Sequence, residues 1–258
     1  MTADEVQVWL VPDVRSEQVV ADLLGVLDDG ERQRAAAYRS ADDRRRFVVA
    51  HGALRHIVAA RTGAAPAAIR WVRGPHGKPD MAGPRPAVQV NLSHSGDLAL
   101  VAVTAVRRVG VDVQQVLPHL DAAAVARRYF PPAEAESVGA TADPAGRADL
   151  FARLWSRKEA LTKAHGGRLT QGLRIPVLPH RVPPARPEDA WSAGYRITDL
   201  PAPPGYRAAV ALSGPADYRV ALNHWTPQAP SPQQPEQPQQ PQQPPHPSSH
   251  PPPGGRRP

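Results

Sequence analysis

The chain has 258 residues, of which 41% are hydrophobic and 21% charged; that is enough apolar material for a buried core in one or two domains, and it excludes a wholly disordered polymer. There is no cysteine, which excludes disulfides, thiolate metal centres and a cysteine nucleophile. The formal charge of +7 points to anionic partners: nucleic acid, a membrane surface, an acidic protein or a polyphosphate ligand.

Almost all of the basic charge is arginine. The three lysines are Lys78, Lys158 and Lys163. The start of the chain lacks a basic segment followed by an apolar run, and no stretch approaches the ~20 apolar residues of a membrane span. The expectation is a cytoplasmic protein that does not enter a membrane.

In chain order, Val6–Val11 (VQVWLV) alternates weakly and predicts a strand. Ser16–Leu27 predicts a short helix. Arg44–Arg61 predicts a longer one, with Phe47, His51, Leu54 and Val58 on one stripe and Ser40 or Asp42 as its cap. Gly74–Asp80 (GPHGKPD) is rich in turn residues. Strands follow at Ala87–Leu92, Asp97–Val103 and Arg108–Val113. Ala122–Tyr129 is helical, and Phe130-Pro131-Pro132 breaks it. Leu150–Ala164 is a strong helix stopped by Gly166-Gly167. Tyr195–Ile197, Tyr206–Leu212 and Tyr218–Leu222 predict strands. Strands and helices mixed without regular βαβ alternation indicate an α+β fold.

From Pro227 onward there are 13 prolines, 8 glutamines and no large apolar residue. Such a segment buries too little to offset its ordering entropy, so a disordered, partly polyproline II tail is expected. It is either a solvated extension or a ligand for a proline-binding module.

Four segments carry chemistry. Gly77-Lys78-Pro79 sets a lysine in a stiff turn, suited to a phosphate contact or simply to the surface. Asn91–Val103 (NLSHSGDLALVAV) joins two strands through Ser93-His94-Ser95-Gly96, a candidate phosphate loop or a plain polar turn. In Gly110–Gln114 (GVDVQ), Asp112 and Gln114 share one strand face, where they either share a hard cation or form an exposed polar face. In Asp149–Leu169, Trp155, Glu159 and Lys163 fall at i, i+4 and i+8 beside Lys158, while Leu150, Leu154 and Leu161 form a core stripe. A solvated helix with one Glu–Lys pair is the plainer reading of that face.

Taken together and in this order, the motifs GKP, NLSHSG, VGVDV and WSRKEALTKAHGGRL resemble the Sfp-type 4′-phosphopantetheinyl transferases over roughly residues 5 to 222. WxxKEA is similar to the branch found with polyketide and nonribosomal peptide synthases. The resemblance implies two similar α+β lobes packed pseudo-symmetrically around the active site. Here they would be residues 1–106, on the coenzyme A 3′-phosphate side, and 107–225, on the magnesium and pyrophosphate side, with 226–258 as the tail. It also implies transfer of the 4′-phosphopantetheine arm of coenzyme A to a serine of an acyl or peptidyl carrier protein, with Mg²⁺ required and adenosine 3′,5′-bisphosphate released.

Carried over residue by residue, the resemblance places Asp112 and Glu159 on Mg²⁺, with Gln114 as a third candidate ligand. Lys158 and Lys163 fall on the phosphates, Lys163 at the cleaved pyrophosphate. Lys78, Ser93 and His94 fall on coenzyme A. Arg34 and Arg46 align with basic residues that hold the 3′-phosphate, with Arg32 and Arg45 as near alternatives. Asp112, Glu159 and Lys163 form the catalytic set. Glu159 is the preferred base, and Glu134 is a base or a neighbour of the metal site. One departure stands out: the Sfp pattern has an acidic residue where this chain has Gln114, and the resulting expectation is activity with a higher Mg²⁺ requirement. An acidic carrier, steered by the +7 charge, and a monomer are also expected.

Three other readings compete. One is a basic nucleic-acid-binding protein, which no recognised nucleic-acid motif supports. Another is a degenerate protein that binds coenzyme A or a carrier without turnover, suggested by Gln114. The third is an enzyme serving fatty acid synthase carriers.

Overall fold

The computed structural model describes residues 2, 4–73, 79–81, 88–178, 181–182 and 194–227. Lys78 and the Pro/Gln-rich tail from residue 228 lie outside the described residues.

Strand β1 (Glu5–Pro12) leads into helices α1 (Glu17–Gly25), α2 (Asp29–Ala37) and α3 (Ala41–Thr62). A short hairpin follows, β2 (Trp71–Arg73) and β3 (Pro79–Met81), then β4 (Gln89–Ser95), β5 (Leu98–Thr104) and β6 (Val109–Gln115). The rest is α4 (Ala122–Tyr129), α5 (Pro132–Ala140), α6 (Pro144–His165), α7 (Leu169–Gly172), β7 (Arg181–Val182), β8 (Tyr195–Leu200), β9 (Tyr206–Ser213) and β10 (Arg219–His224). The α+β expectation holds. No helix among the described residues is long and apolar enough to cross a membrane.

The strands form two four-stranded sheets, ordered β10-β1-β5-β4 and β6-β9-β8-β7. Alternation along the strands sorts the side chains into three cores. Val6, Val8, Leu98 and Leu100 of the first sheet meet Val109, Val111, Val113, Val210 and Leu212 of the second, so the sheets pack face to face. The opposite side of the first sheet, with Ala99, Val101 and Val103, is covered by α1 to α3. The opposite side of the second, with Ala209 and Ala211, is covered by α4 to α6. The architecture is helices, sheet, sheet, helices, with the two halves built alike.

The long helices begin and end where their sequences specify. Ser40 accepts from the Asp43 amide at the start of α3, and Asp143 accepts from the Gly146 amide at the start of α6. Gly166 closes α6 in the left-handed conformation at φ 82. Leu154 and Leu161 are fully buried, as their stripe predicts; truncating either to alanine should cost about 2–5 kcal/mol.

Several expectations change. Helix α2 falls between the two predicted first-half helices. Its signal was the reciprocal capping box of Asp28 and Glu31. Helix α5 starts at Pro132, because proline is a good first helical residue as well as a breaker. Ser93, His94 and Ser95 lie within β4 rather than in a loop, and the hairpin turns at Gly96 and Asp97 alone. Strand β10 leaves the second half and pairs in parallel with β1, Glu5 opposite Arg219. Trp155 packs with Phe130 and Phe151, their ring centroids 6.3 and 5.6 Å from its own.

Candidate active site

Gly110 determines how the second half assembles. A Cβ there would collide with the backbone of Ala160, Lys163 and Ala164, so only glycine lets α6 lie directly on β6. Asp112 is two residues along the same strand face. The close approach therefore brings it under the Glu159 and Lys163 side chains, one helical turn apart.

Asp112 is 4% exposed. Its Oδ1 accepts from Lys163 Nζ at 2.6 Å and from Ser93 Oγ at 2.6 Å. Lys163 Nζ also donates to Ser93 Oγ at 2.9 Å and stands 3.6 Å from Glu159 Oε2. Glu159 keeps 22% of its side chain open to solvent. Burial pushes the Asp112 carboxyl up to about 6; Lys163 pulls it back, and the Glu159 charge adds to the rise. Its second oxygen, Oδ2, is buried and has no hydrogen-bond partner. A buried carboxylate oxygen without a partner beside a second carboxylate leaves acceptor capacity in the cluster that Lys163 does not fill.

That donor set fits a hard cation. Mg²⁺ takes one or two protein carboxylates and fills its shell with water and substrate phosphate oxygens. Among the described residues no three His, Asp or Glu side chains converge, and Asp112 and Glu159 are two carboxylates on either side of Lys163. Gln114 lies half-buried on the Asp112 face, with its amide donating to the Gln115 carbonyl at 3.2 Å.

The first half brings Arg46 and His94 to one small pocket with Asp97 and Gly96. Arg46 is held there by Asp97 Oδ1, at 2.9 Å from Nε and 2.7 Å from Nη2. Arg45 faces elsewhere, bound to Asp13 and Asp42. Arg32 is bound to Asp29 and to the Leu27 carbonyl. Arg34 lies over the Phe47 ring at 5.2 Å, and Phe47 stacks on His51. Although His94 is exposed on β4, the atoms packed on its ring withdraw enough water to lower its pKa, and His51 and Lys163 push the same way.

One expected ligand is engaged elsewhere. Lys158 is fully buried and does not join the cluster. Its ammonium pairs with Glu134 Oε2 at 2.5 Å, donates to the Ile175 carbonyl at 2.6 Å and lies over Phe130 at 4.8 Å. Burial lowers its pKa, and Glu134 partly restores it. Glu134 Oε1 accepts the amides of Val177 and Leu178. The pair therefore clips the chain after α7 onto α5 and α6. Helical geometry explains the correction: Lys158 precedes Glu159 by one residue and so points about 100° away from it. Ser93 is 5% exposed and joins the cluster, its hydroxyl donating to Asp112 and accepting from Lys163.

Ser95, part of the candidate phosphate loop, and Asn91 bind backbone amides of β6 instead. Asn91 Oδ1 accepts from the Val111 amide at 2.8 Å and Ser95 Oγ from the Gln115 amide at 3.0 Å. Residues 91, 93 and 95 fall at the strand period, so their polar side chains share one face of β4.

A family model described as 4′-phosphopantetheinyl transferase superfamily matches residues 108–222. Another, described as the N-terminal part of a 4′-phosphopantetheinyl transferase, matches residues 15–106. The 4′-phosphopantetheinyl transferase HetI of Nostoc sp. is 32% identical over 219 residues, covering 83% of this chain and 90% of the relative. The 4′-phosphopantetheinyl transferase psf-1 of Bacillus pumilus is 28% identical over 221 residues, covering 82% and 89%. A human relative, L-aminoadipate-semialdehyde dehydrogenase-phosphopantetheinyl transferase, is 28% identical over 147 residues, covering 53% and 47%.

Proposed function

The chain belongs to the 4′-phosphopantetheinyl transferase superfamily, enzymes that move the phosphopantetheine arm of coenzyme A onto a carrier serine, and from that premise we propose how its own residues divide the work. The observation that carries the reading is the convergence of Asp112, Glu159 and Lys163, with Asp112 Oδ2 left without a partner.

Asp112 and Glu159 would hold Mg²⁺, with Gln114 as a third candidate ligand, and the ion would supply neutralising charge to the pyrophosphate. Lys163 donates to the pyrophosphate and meets the charge that builds on the leaving oxygen. Arg46 and His94, with Arg34 behind them, take the 3′-phosphate. Lys78 is a further candidate contact by sequence alone. In the reaction the carrier serine oxygen bonds to phosphorus, the bond to the adenosine 3′,5′-bisphosphate oxygen breaks, and the serine proton passes to a carboxylate. Glu159 suits that last step because it is partly open to the arriving hydroxyl. Glu134 does not, being buried against Lys158 and two backbone amides.

The carriers are those of polyketide or nonribosomal peptide synthases, a reading supported by WxxKEA. The +7 charge steers an acidic carrier, so kcat/KM for the carrier should fall as salt rises; a rate flat in salt would remove steering. One chain supplies both halves of the site, which supports a monomer working in the cytoplasm.

Intact-mass spectrometry of an apo carrier incubated with coenzyme A and Mg²⁺ tests the reading. The wild type should add one phosphopantetheine and Glu159→Ala should not. No addition to any polyketide, peptide or fatty acid carrier would favour a protein that binds without turnover.

A further inference from the structure

Strands β4 and β6 are edge strands of different sheets, and they meet without backbone pairing. Side chains make the joint instead. Asn91 Oδ1 takes the Val111 amide, Ser93 Oγ the Val113 amide at 3.4 Å, and Ser95 Oγ the Gln115 amide. Two residues further on the polarity reverses: the Asp97 amide donates to Tyr206 Oη at 3.1 Å. Three rungs, at 91, 93 and 95, thus reach β6, and a fourth, at Asp97 in the hairpin turn, reaches Tyr206 of β9. Gly96 has φ 55, and a Cβ on it would press on Tyr206 Oη and the Gln115 side chain, so the last rungs close only around glycine.

The rungs hold both ends of the site. The second rung is Ser93, which also binds Asp112 and Lys163. The fourth is Asp97, whose carboxylate grips Arg46. The register is chemical: a one-residue slip would present Leu92 and His94 to amides that need an acceptor.

We propose that this side-chain ladder is a molecular ruler, in which Asn91, Ser95 and Tyr206 act as positioning residues that fix the distance between the Arg46–His94 group and the Asp112–Lys163 group. Coenzyme A carries two anionic groups at a set spacing, its 3′-phosphate and its pyrophosphate. A rigid joint lets binding energy gained at the first be used to align the second, which a loose joint would dissipate. The inference rests on the assignment of Arg46 and His94 to the 3′-phosphate.

The test compares coenzyme A with dephospho-coenzyme A, which lacks that phosphate. Tyr206→Phe and Ser95→Ala, singly and combined, each remove one hydroxyl at a half-buried position, and Tyr206→Phe alone is the gentler form. In the wild type, kcat/KM should favour coenzyme A by about tenfold or more. In the combined variant that preference should fall to within about threefold, with the dephospho-coenzyme A rate changed less than about twofold. Adding Arg46→Ala to the combined variant should cost little more, because ladder and arginine act as one device. A purely structural role would lower both substrates equally. Equal losses, an unchanged preference, or an Arg46→Ala effect that simply adds would each overturn the ruler. A wild type that uses both substrates equally well would overturn the Arg46 assignment and the ruler with it. A wild type that transfers nothing would instead sink the transferase reading.

Discussion

Glu31 in the first half and Asp112 in the second are both buried carboxylates, yet they sit in opposite states. Glu31 is saturated. Its oxygens meet His51 Nδ1 at 3.1 Å, Arg55 Nε at 2.6 Å and the Asp28 amide at 3.1 Å. Arg55 in turn binds Asp28 and the carbonyls of Pro66 and Ile69. Although burial opposes it, this company holds the Glu31 carboxyl down to about 2. Asp112 has one satisfied oxygen and one bare, and burial carries it up to about 6. Glu31 has both oxygens engaged and ties α2 to α3, whereas Asp112 keeps one oxygen without a hydrogen-bond partner beside Glu159 and Lys163.

The contrast can be broken in four ways. The largest effect should be on rate: Asp112→Asn or Glu159→Gln should lower transfer by roughly a thousandfold or more, while Glu31→Gln, measured per folded molecule, should stay within about twofold. A comparable rate loss for Glu31→Gln would erase the distinction. The second effect is on stability. Removing one member of a buried pair strands the other, so Glu31→Ala should cost about 3–5 kcal/mol in chemical denaturation. Lys158→Ala should also destabilise, by stranding Glu134, while leaving the KM for coenzyme A within about twofold; a large KM rise would restore Lys158 to the phosphate site.

The third concerns pH. Asp112 has a folded pKa above its unfolded value, so its native state is favoured below about 4 and that advantage is lost as pH rises through about 6. Without metal, Asp112→Asn should therefore stabilise the protein at pH 8 by about 1–3 kcal/mol and hardly at all at pH 4. Melting curves at the two pH values check the sign. The Glu31 carboxyl is shifted the other way: its contribution is present above about 4.5 and lost as pH falls toward 2. The smallest effect is at Gln114. Gln114→Glu should lower the Mg²⁺ concentration for half-maximal rate by about threefold, since a carboxylate binds a hard cation better than an amide; an unchanged requirement would take Gln114 out of the shell.

Much of this site was legible in the sequence because catalysis concentrates rare residue types. Asp112, Glu159 and Lys163 stood out by strand and helix spacing together with a scarcity of lysine, and the structure brings all three together. Arg46 and His94, placed by alignment, share a pocket. Lys158 is turned to Glu134 rather than to the cluster, because adjacency in sequence is not adjacency on a helix face. Helix α2 was missed because a run of charged and alanine residues has no apolar stripe. It is held instead by Glu31 and Ala35, buried against α3. The swap of β10 into the first sheet left no local trace at all: register between residues 5 and 219 is a property of the assembled layers.

That swap has a consequence for how the molecule is made. As the chain leaves the ribosome, β1 can pair with β5 early, but its other edge stays bare until residues 219–224 emerge. Trp225 then caps the first core, its amide bonded to the Leu10 carbonyl at 2.9 Å. The first half is thus the first to be synthesised and the last to be completed. An isolated fragment ending near residue 106 would present an open β-edge to its neighbours, which is a route to aggregation rather than to a working half-enzyme.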